Sequence, residues 1–175
     1  ISREGGMVIN NLFLSAACAA VFLGTLYPLF LEALDGSKVS VGPPFFNATF
    51  VPLMVPLVFL MAVGPMLPWK RADLGAALAR LKLAALGAVV AALIAWYVSN
   101  GGPVLAVAAM GLAAWLFVGA LVEWGDRVKL FRAPLGDSWR RAVNLPRAAH
   151  GMTLAHAGLA VVMAGMIGSS VWKEE

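Results

Sequence analysis

Long apolar runs separated by short polar segments dominate this chain. About 20 predominantly apolar residues in helical form cross a bilayer, and five runs reach that length. None of them alternates between polar and apolar positions, as the strands of a membrane barrel do. The pattern therefore predicts an all-α, polytopic transmembrane helical bundle that forms a single membrane domain over residues 1–175. The predicted helices span about 7–30, 48–67, 74–98, 103–124 and 149–171.

Three connections between these helices are expected to differ in character. Residues 31–47 carry two glycines and two prolines in close succession, which predicts a turn-rich loop. Residues 68–73 and 125–148 form basic loops on the other side of the bundle. The DSWRRAVNLPR part of the second basic loop is expected to lie along the membrane surface.

The basic side chains are distributed very unevenly between the two sides of this bundle. If the helices alternate in direction, eleven of the thirteen Lys and Arg residues lie on the side of the amino end, and Lys38 and Lys173 lie on the other. Loops that face the cytoplasm carry an excess of Lys and Arg. The amino end is therefore predicted to be cytoplasmic and the carboxyl end to lie on the far side. The eleven residues are Arg3, Lys70, Arg71, Arg80, Lys82, Arg127, Lys129, Arg132, Arg140, Arg141 and Arg147.

Composition supports a membrane protein and excludes several other classes. The chain is 61% hydrophobic and 13% charged, with a mean hydropathy of +0.85, whereas soluble domains are about 45–50% apolar and about 25% charged. The net charge of +4 comes from basic residues in the loops on one side of the bundle, so it is not evidence for a nucleic-acid partner. The single cysteine, Cys18, excludes a disulfide within the chain. No Ser/His/Asp arrangement, P-loop or carboxylate pair indicates hydrolysis or phosphoryl transfer.

One ionisable side chain, His156, lies within the last apolar run, about seven residues from its predicted start. Polar groups in membrane-spanning helices are costly and commonly functional. A neutral imidazole is a good axial ligand for haem iron, and the many small residues of this run leave room for a macrocycle. The alternative is a histidine that is hydrogen-bonded to a neighbouring helix. The residues predicted to share its face and to line a pocket are Met152, Leu159, Ala160 and Met163.

The other histidine, His150, cannot complete such a haem site. It lies six positions before His156, which places it roughly 240° away around the helix at about 100° per residue. Two side chains of one helix cannot ligate opposite faces of one haem. A second histidine ligand is therefore expected outside these 175 residues, and His150 is expected to be a hydrated residue at the membrane interface.

Five further polar or aromatic residues are of interest. Asn10 and Asn11 are expected to form interhelical hydrogen bonds. Glu123 is expected either to pair with Arg127 or to extend to water. Trp115 lies in the middle of its predicted helix and is expected to pack against another helix.

Several stretches of the sequence resemble one known family. Taken together and in this order, they are similar to the CcmF family, the haem lyase subunits of cytochrome c maturation. The resemblance extends from residue 2 to about residue 171 and covers only the later membrane part of these longer proteins. The chain, which begins ISREGG without a visible signal peptide, is thus expected to be the interior of a longer polypeptide. The stretches are SREGGMVINNLFL, LGTLYPLFLEAL, KVSVGPPFFN, PLMVPLVFLMAVGPMLPW and GMTLAHAGLAVVMAG.

This resemblance implies a subunit of an enzyme, cytochrome c haem lyase, in the bacterial inner membrane with a periplasmic carboxyl end. Such a protein receives haem from the haem-loaded chaperone CcmE. With CcmH- and CcmI-type subunits it attaches that haem to the CXXCH cysteines of apocytochrome c. The family's WWD signature, its two far-side histidines and its soluble domain are absent here, so the catalytic attachment site is expected to lie outside this chain.

The resemblance also implies a cofactor, a structural b-type haem held between helices by two histidines. The histidine of GMTLAHAGLAV is one of them, and here it is His156; the other is expected upstream of residue 1. Quinol is implied as the electron donor, and the rest of the CcmF polypeptide and membrane lipid as further partners. The competing interpretation is a haem-free membrane scaffold or transporter subunit.

Overall fold

Two long helices, α1 (Arg3–Asp35) and α2 (Pro43–Val63), form the first part of the fold. The structure is a computed structural model that describes residues 3–67 and 74–171. Helix α1 stops at Gly36, whose φ of +70° lies in the left-handed region that favours glycine. Helix α2 is followed by a 3₁₀ turn, Gly64–Met66.

The connection between these helices is shorter than the predicted loop 31–47. Only residues 36–42 are non-helical, because α1 extends five residues beyond its predicted end and α2 begins at Pro43 rather than at residue 48. Proline is favoured in the first turn of a helix, where its missing N–H would have no partner in any case. Pro43 and Pro44 therefore start a helix instead of forming part of a loop.

The predicted helix 74–98 is divided in two, α3 (Leu74–Arg80) and α4 (Lys82–Val98). Between them the backbone of Leu81 turns, and its N–H donates to the carbonyl of Leu78 at 3.0 Å. Leu81 is completely buried, while Arg80 and Lys82 on either side are exposed. The break thus buries an apolar side chain and keeps two cations exposed. It could not be predicted from the sequence, because the apolar run continues through this position.

The second part of the fold consists of α5 (Val104–Val128), α6 (Leu135–Val143) and α7 (Arg147–Val171). Helix α5 continues four residues past its predicted end and stops at Lys129, which has a left-handed φ of 55°. The predicted loop 125–148 therefore contains the last turn of α5 and the whole of α6. The other predicted basic loop, 68–73, lies outside the described residues.

Four helical segments of the described chain are long and apolar enough to cross a membrane, not the five that were predicted. Helix α4 is too short for the fifth: its 17 residues span about 26 Å at 1.5 Å per residue, against a hydrocarbon core of about 30 Å. The described residues contain no strand, and the all-α helical class is confirmed. The four segments are Glu4–Asp35, Pro43–Met66, Val104–Val128 and Arg147–Ser170.

Helix α5 lies at the centre of the packing. It contacts α4, α7 and α2, whereas α1 packs mainly on α2. The core where α2, α5 and α7 meet includes Val58, Trp115, Leu116 and Ala160. Close approach is possible because a Cβ on Gly119 of α5 would lie only 2.7 Å from the Ala62 Cβ of α2.

Candidate functional site

The inward face of α7 carries the residues that the sequence analysis placed together with His156. Every residue on this face is buried or half-buried, while those on the opposite face, such as Leu154 and Val161, are exposed. His156 itself is half-buried and lies nine residues from the start of α7, or about 14 Å along the helix. The histidine therefore faces the bundle, which is where costly polar groups in a membrane domain are expected.

His156 lines two cavities, one small and one large. The small cavity is a narrow gap without room for a water molecule, and it lies between the end of α2, the end of α5 and the beginning of α7. Its polar lining comes from Glu123, Thr153 and His156, and Met152 is also part of its wall. A histidine, a carboxylate and a hydroxyl thus surround a space that is otherwise lined by apolar and small residues.

The large cavity, of about 620 Å³, lies on another side of the His156 ring. Its walls are α1 from Gly5 to Phe13, α2 and the following turn from Leu57 to Leu67, and Leu78 of α3. Most of these residues are apolar, and Asn10 and His156 are the exceptions. A Cβ at Gly6 would meet no atom within 4 Å, so this part of the wall is open.

Glu123 is the most deeply buried acidic side chain of the described residues, with 5% of its surface exposed. One carboxylate oxygen, Oε1, accepts a hydrogen bond from Arg127 Nε one turn later in α5. The other oxygen, Oε2, is buried and has no hydrogen-bond partner. The predicted pairing with Arg127 is therefore confirmed, and the alternative that Glu123 extends to water is not.

The predicted pocket residues separate into two groups. Met152 shares the small cavity with His156. Ala160 is part of the buried core, and Leu159 and Met163 pack against that core. In the described part of the chain these three residues line neither cavity that His156 lines, so their role as a pocket lining stays a prediction.

His150 is half-buried and makes a contact that the sequence did not predict. Its Nε2 lies 3.0 Å from the carbonyl oxygen of Ala142, so the ring connects the first turn of α7 to the end of α6. Ser138 holds the same short helix from its other end by donating to the carbonyl of Lys129 at 3.3 Å. His150 is therefore a structural residue that docks α6.

Trp115 packs against another helix as predicted. Its indole N–H donates to the carbonyl of Phe59 at 3.0 Å, and the two rings stack with centroids 5.0 Å apart. Asn10 and Asn11 make no interhelical hydrogen bond to the residues that the structure describes. Asn10 lines the large cavity instead, and Asn11 is exposed.

Sequence reasoning treated Glu123 and His156 separately and did not single out Thr153. The residues are far apart in the chain, and only the antiparallel packing of α5 on α7 brings their side chains to one cavity. Thr153 lies three positions before His156, a spacing that places both on one helix face. Thr153 could therefore have been predicted from its spacing to His156. The position of Glu123 beside α7 could not, because it depends on how two distant helices pack.

Comparison with known proteins gives a consistent result. A Rhizobium meliloti protein named cytochrome c-type biogenesis protein CycK is 49% identical over all 175 residues, which are 26% of its own length. A Pseudomonas fluorescens protein named cytochrome c-type biogenesis protein CcmF is 38% identical over 97% of this chain and 25% of its own. No family model matches the chain.

The fold has a counterpart among solved structures. A structure titled Cytochrome c Heme Lyase CcmF matches 98% of this chain and 26% of its own, with a TM-score of 0.67 and 28% identity. This chain thus spans about a quarter of the length of the relatives it matches. It belongs to the CcmF/CycK family of cytochrome c-type biogenesis proteins.

Proposed function

We propose that this chain is part of the membrane component of a cytochrome c haem lyase and that His156 is an axial ligand of a b-type haem. The relatives' names support the first part, since they are cytochrome c biogenesis proteins and a haem lyase. One observation carries the second part: the half-buried His156 ring, without a hydrogen bond to the described residues, lines a largely apolar cavity of about 620 Å³.

The residues around this cavity fit a haem with one ligand from this chain. The apolar walls from α1 and α2 suit a macrocycle, and Gly5, Gly6 and Gly64 leave them without side chains at three points. Within the described residues no group of three His, Cys, Asp or Glu side chains converges as a metal site. The iron would be held by the His156 imidazole and, as the family resemblance implies, by a second histidine from elsewhere in the polypeptide. When bound, the haem supplies one-electron redox chemistry.

The residues of this chain would hold and orient the cofactor. The stack of Phe59 on Trp115 fixes the α2 wall against α5, and the Trp115 hydrogen bond ties the two helices at that level. The apolar walls exclude water, and such burial is one of the factors that set the potential of a haem.

The role that we propose for the complete protein is the one that the family resemblance implies. It would take haem from haem-loaded CcmE and, with CcmH- and CcmI-type subunits, transfer it to the CXXCH cysteines of apocytochrome c. Quinol would supply electrons to the b-type haem. The attachment site would lie in parts of the polypeptide outside these 175 residues.

The orientation in the bacterial inner membrane is part of the same proposal. A cytoplasmic amino end places the connection 36–42 in the periplasm and the end of α2 on the cytoplasmic side. The end of α5 and the beginning of α7 lie beside the end of α2, so Arg127 and Arg147 are cytoplasmic as well. A membrane-impermeant amine reagent should therefore label Lys38 in intact spheroplasts. Labelling that requires permeabilised membranes would contradict this orientation.

A spectroscopic comparison of two histidine variants tests the haem proposal. The complete protein, purified in mild detergent and reduced with dithionite, should show a b-type α band. His156→Ala should lose most of that band, because it removes an axial ligand. His150→Ala is the matched control on the same helix and should keep the band.

The opposite result would favour the haem-free scaffold or transporter subunit. Wild-type protein without a Soret band, or a band unchanged by His156→Ala, would contradict the haem proposal.

A further inference from the structure

Two polar groups that lack hydrogen-bond partners among the described residues meet in the small cavity. Glu123 Oε2 is buried without a partner, and the His156 ring lines the same space. A buried carboxylate oxygen without a donor is costly and uncommon, so its retention opposite a histidine calls for a physical reason.

The positions of the two cavities suggest that reason. His156 lines the large apolar cavity and the small carboxylate cavity at once. An imidazole has two ring nitrogens, and when one ligates a metal the other almost always donates its N–H to a carboxylate, a carbonyl or a water. Within the described residues, Glu123 Oε2 is the carboxylate oxygen that lines the histidine's cavity and lacks a donor.

Building on the haem site proposed above, we propose that Glu123 is the positioning residue of His156. Glu123 Oε2 accepts the N–H of the ring nitrogen that does not face the iron, while Arg127 holds the other carboxylate oxygen. The hydrogen bond fixes the ring orientation and makes the imidazole a more basic ligand. A more basic ligand stabilises the ferric form and lowers the reduction potential of the iron.

The arrangement also explains why the carboxylate remains buried. Arg127 compensates one oxygen from one turn further along α5, and its own side chain is 34% exposed, so it reaches the edge of the bundle. The histidine N–H would compensate the other oxygen from α7. Each oxygen of the carboxylate then has a donor, and α5 and α7 are connected at the level of the site.

The neutral variant Glu123→Gln provides the main test in the complete, haem-containing protein. It keeps the size of the side chain but removes its charge. We expect haem to be retained, its midpoint potential to shift to a more positive value, and the hydrogen-bond signature at the remote ring nitrogen to weaken. Pulsed EPR of ferric protein labelled with ¹⁵N-histidine reads that nitrogen directly.

The truncated variant Glu123→Ala removes the acceptor altogether. Loss of an outer-shell partner reduces metal affinity by about 10- to 100-fold in comparable sites, and we expect faster loss of haem to apomyoglobin in that range. Should this variant fail to fold, Glu123→Gln still decides the question.

Two control variants separate this role from general electrostatics. Asp126→Asn neutralises a carboxylate on the same helix that pairs with Arg132 at 3.3 Å and does not line the cavity; both readouts should stay unchanged. Arg127→Gln should shift the potential in the negative direction and leave the remote-nitrogen signal in place. A Glu123→Gln variant with the wild-type nitrogen signal would overturn the proposal, even if its potential shifted.

Failure of this proposal is distinguishable from failure of the haem site itself. If wild-type protein lacks the b-type haem, or His156→Ala keeps it, the haem site is wrong and the positioning role falls with it. If His156→Ala loses the haem but Glu123→Gln matches wild type in both readouts, only the positioning role is wrong.

Discussion

Two regions of this molecule are built from similar apolar residues but are packed very differently. The seam, formed by α2, α5 and the inward face of α7, contains the buried core and both elements of the Glu123–His156 pair. The open side, formed by α1 and the outward face of α7, exposes most of its large side chains. A third of the apolar window of α5 is buried, against 11% for α1 and for α7.

The difference shows which part of the fold is held together by contacts within this chain. In the seam, a glycine is a position of close contact: a Cβ on Gly119 of α5 would be 2.7 Å from the Cβ of Ala62 of α2. On the outward face of α7 a Cβ on Gly158 would meet nothing within 4 Å. Glycine thus has a packing role in the seam but none at this position on the outward face of α7.

The largest expected effect is on the stability of the seam. Gly119→Leu should destabilise the protein by about 1–3 kcal/mol or more, because the new side chain collides with the rigid Cβ of Ala62. Gly158→Leu on the open face is the matched control and should retain wild-type stability. The fraction of monodisperse protein after heating in detergent measures both, and equal losses would show that the open face is also packed in the complete protein.

A second prediction concerns the large cavity, where the seam meets the open side. Gly6→Leu places a side chain into open space in the cavity wall and should leave the fold intact. Because it fills the proposed haem space, overpacking by about 1–3 kcal/mol should reduce haem occupancy roughly tenfold. Haem content per purified protein measures this, with Gly136→Leu in α6 as the control. Undiminished haem content would place the cofactor elsewhere.

A smaller effect is expected from the hydrogen bond that crosses the seam. Trp115→Phe keeps an aromatic ring against Phe59 but loses the donor to its carbonyl. We expect a loss of about 1 kcal/mol, typical of one buried hydrogen bond. Thermal unfolding measures this loss. Trp96→Phe is the comparison, since Trp96 is 47% exposed and its replacement should change little.

The smallest effect on the site is expected from His150. His150→Ala removes the contact to the Ala142 carbonyl and should loosen α6 by about 1 kcal/mol. Trypsin should then cleave at the exposed Arg140 and Arg141 about fivefold faster. Unchanged cleavage would mean that other contacts hold α6 in place.

The sequence predicted the helical class and most helix positions because hydrophobic run length is a local property. It was wrong about the start of α2 and about the continuity of the predicted helix 74–98. In the first case Pro43 and Pro44 predict a loop, although prolines also suit the start of a helix. In the second, burial of Leu81 between two exposed cations depends on helices far away in the chain.

The candidate site shows the same division. The sequence alone determined that His156 is a costly polar group in an apolar helix and which residues share its face, because helix geometry fixes those angles. Only the tertiary structure decided that Glu123 lies in the same cavity, that His150 holds α6 and that Ala160 is core. These outcomes depend on how α5 packs against α7 and on where α6 docks, and such contacts between distant segments leave no trace in local periodicity.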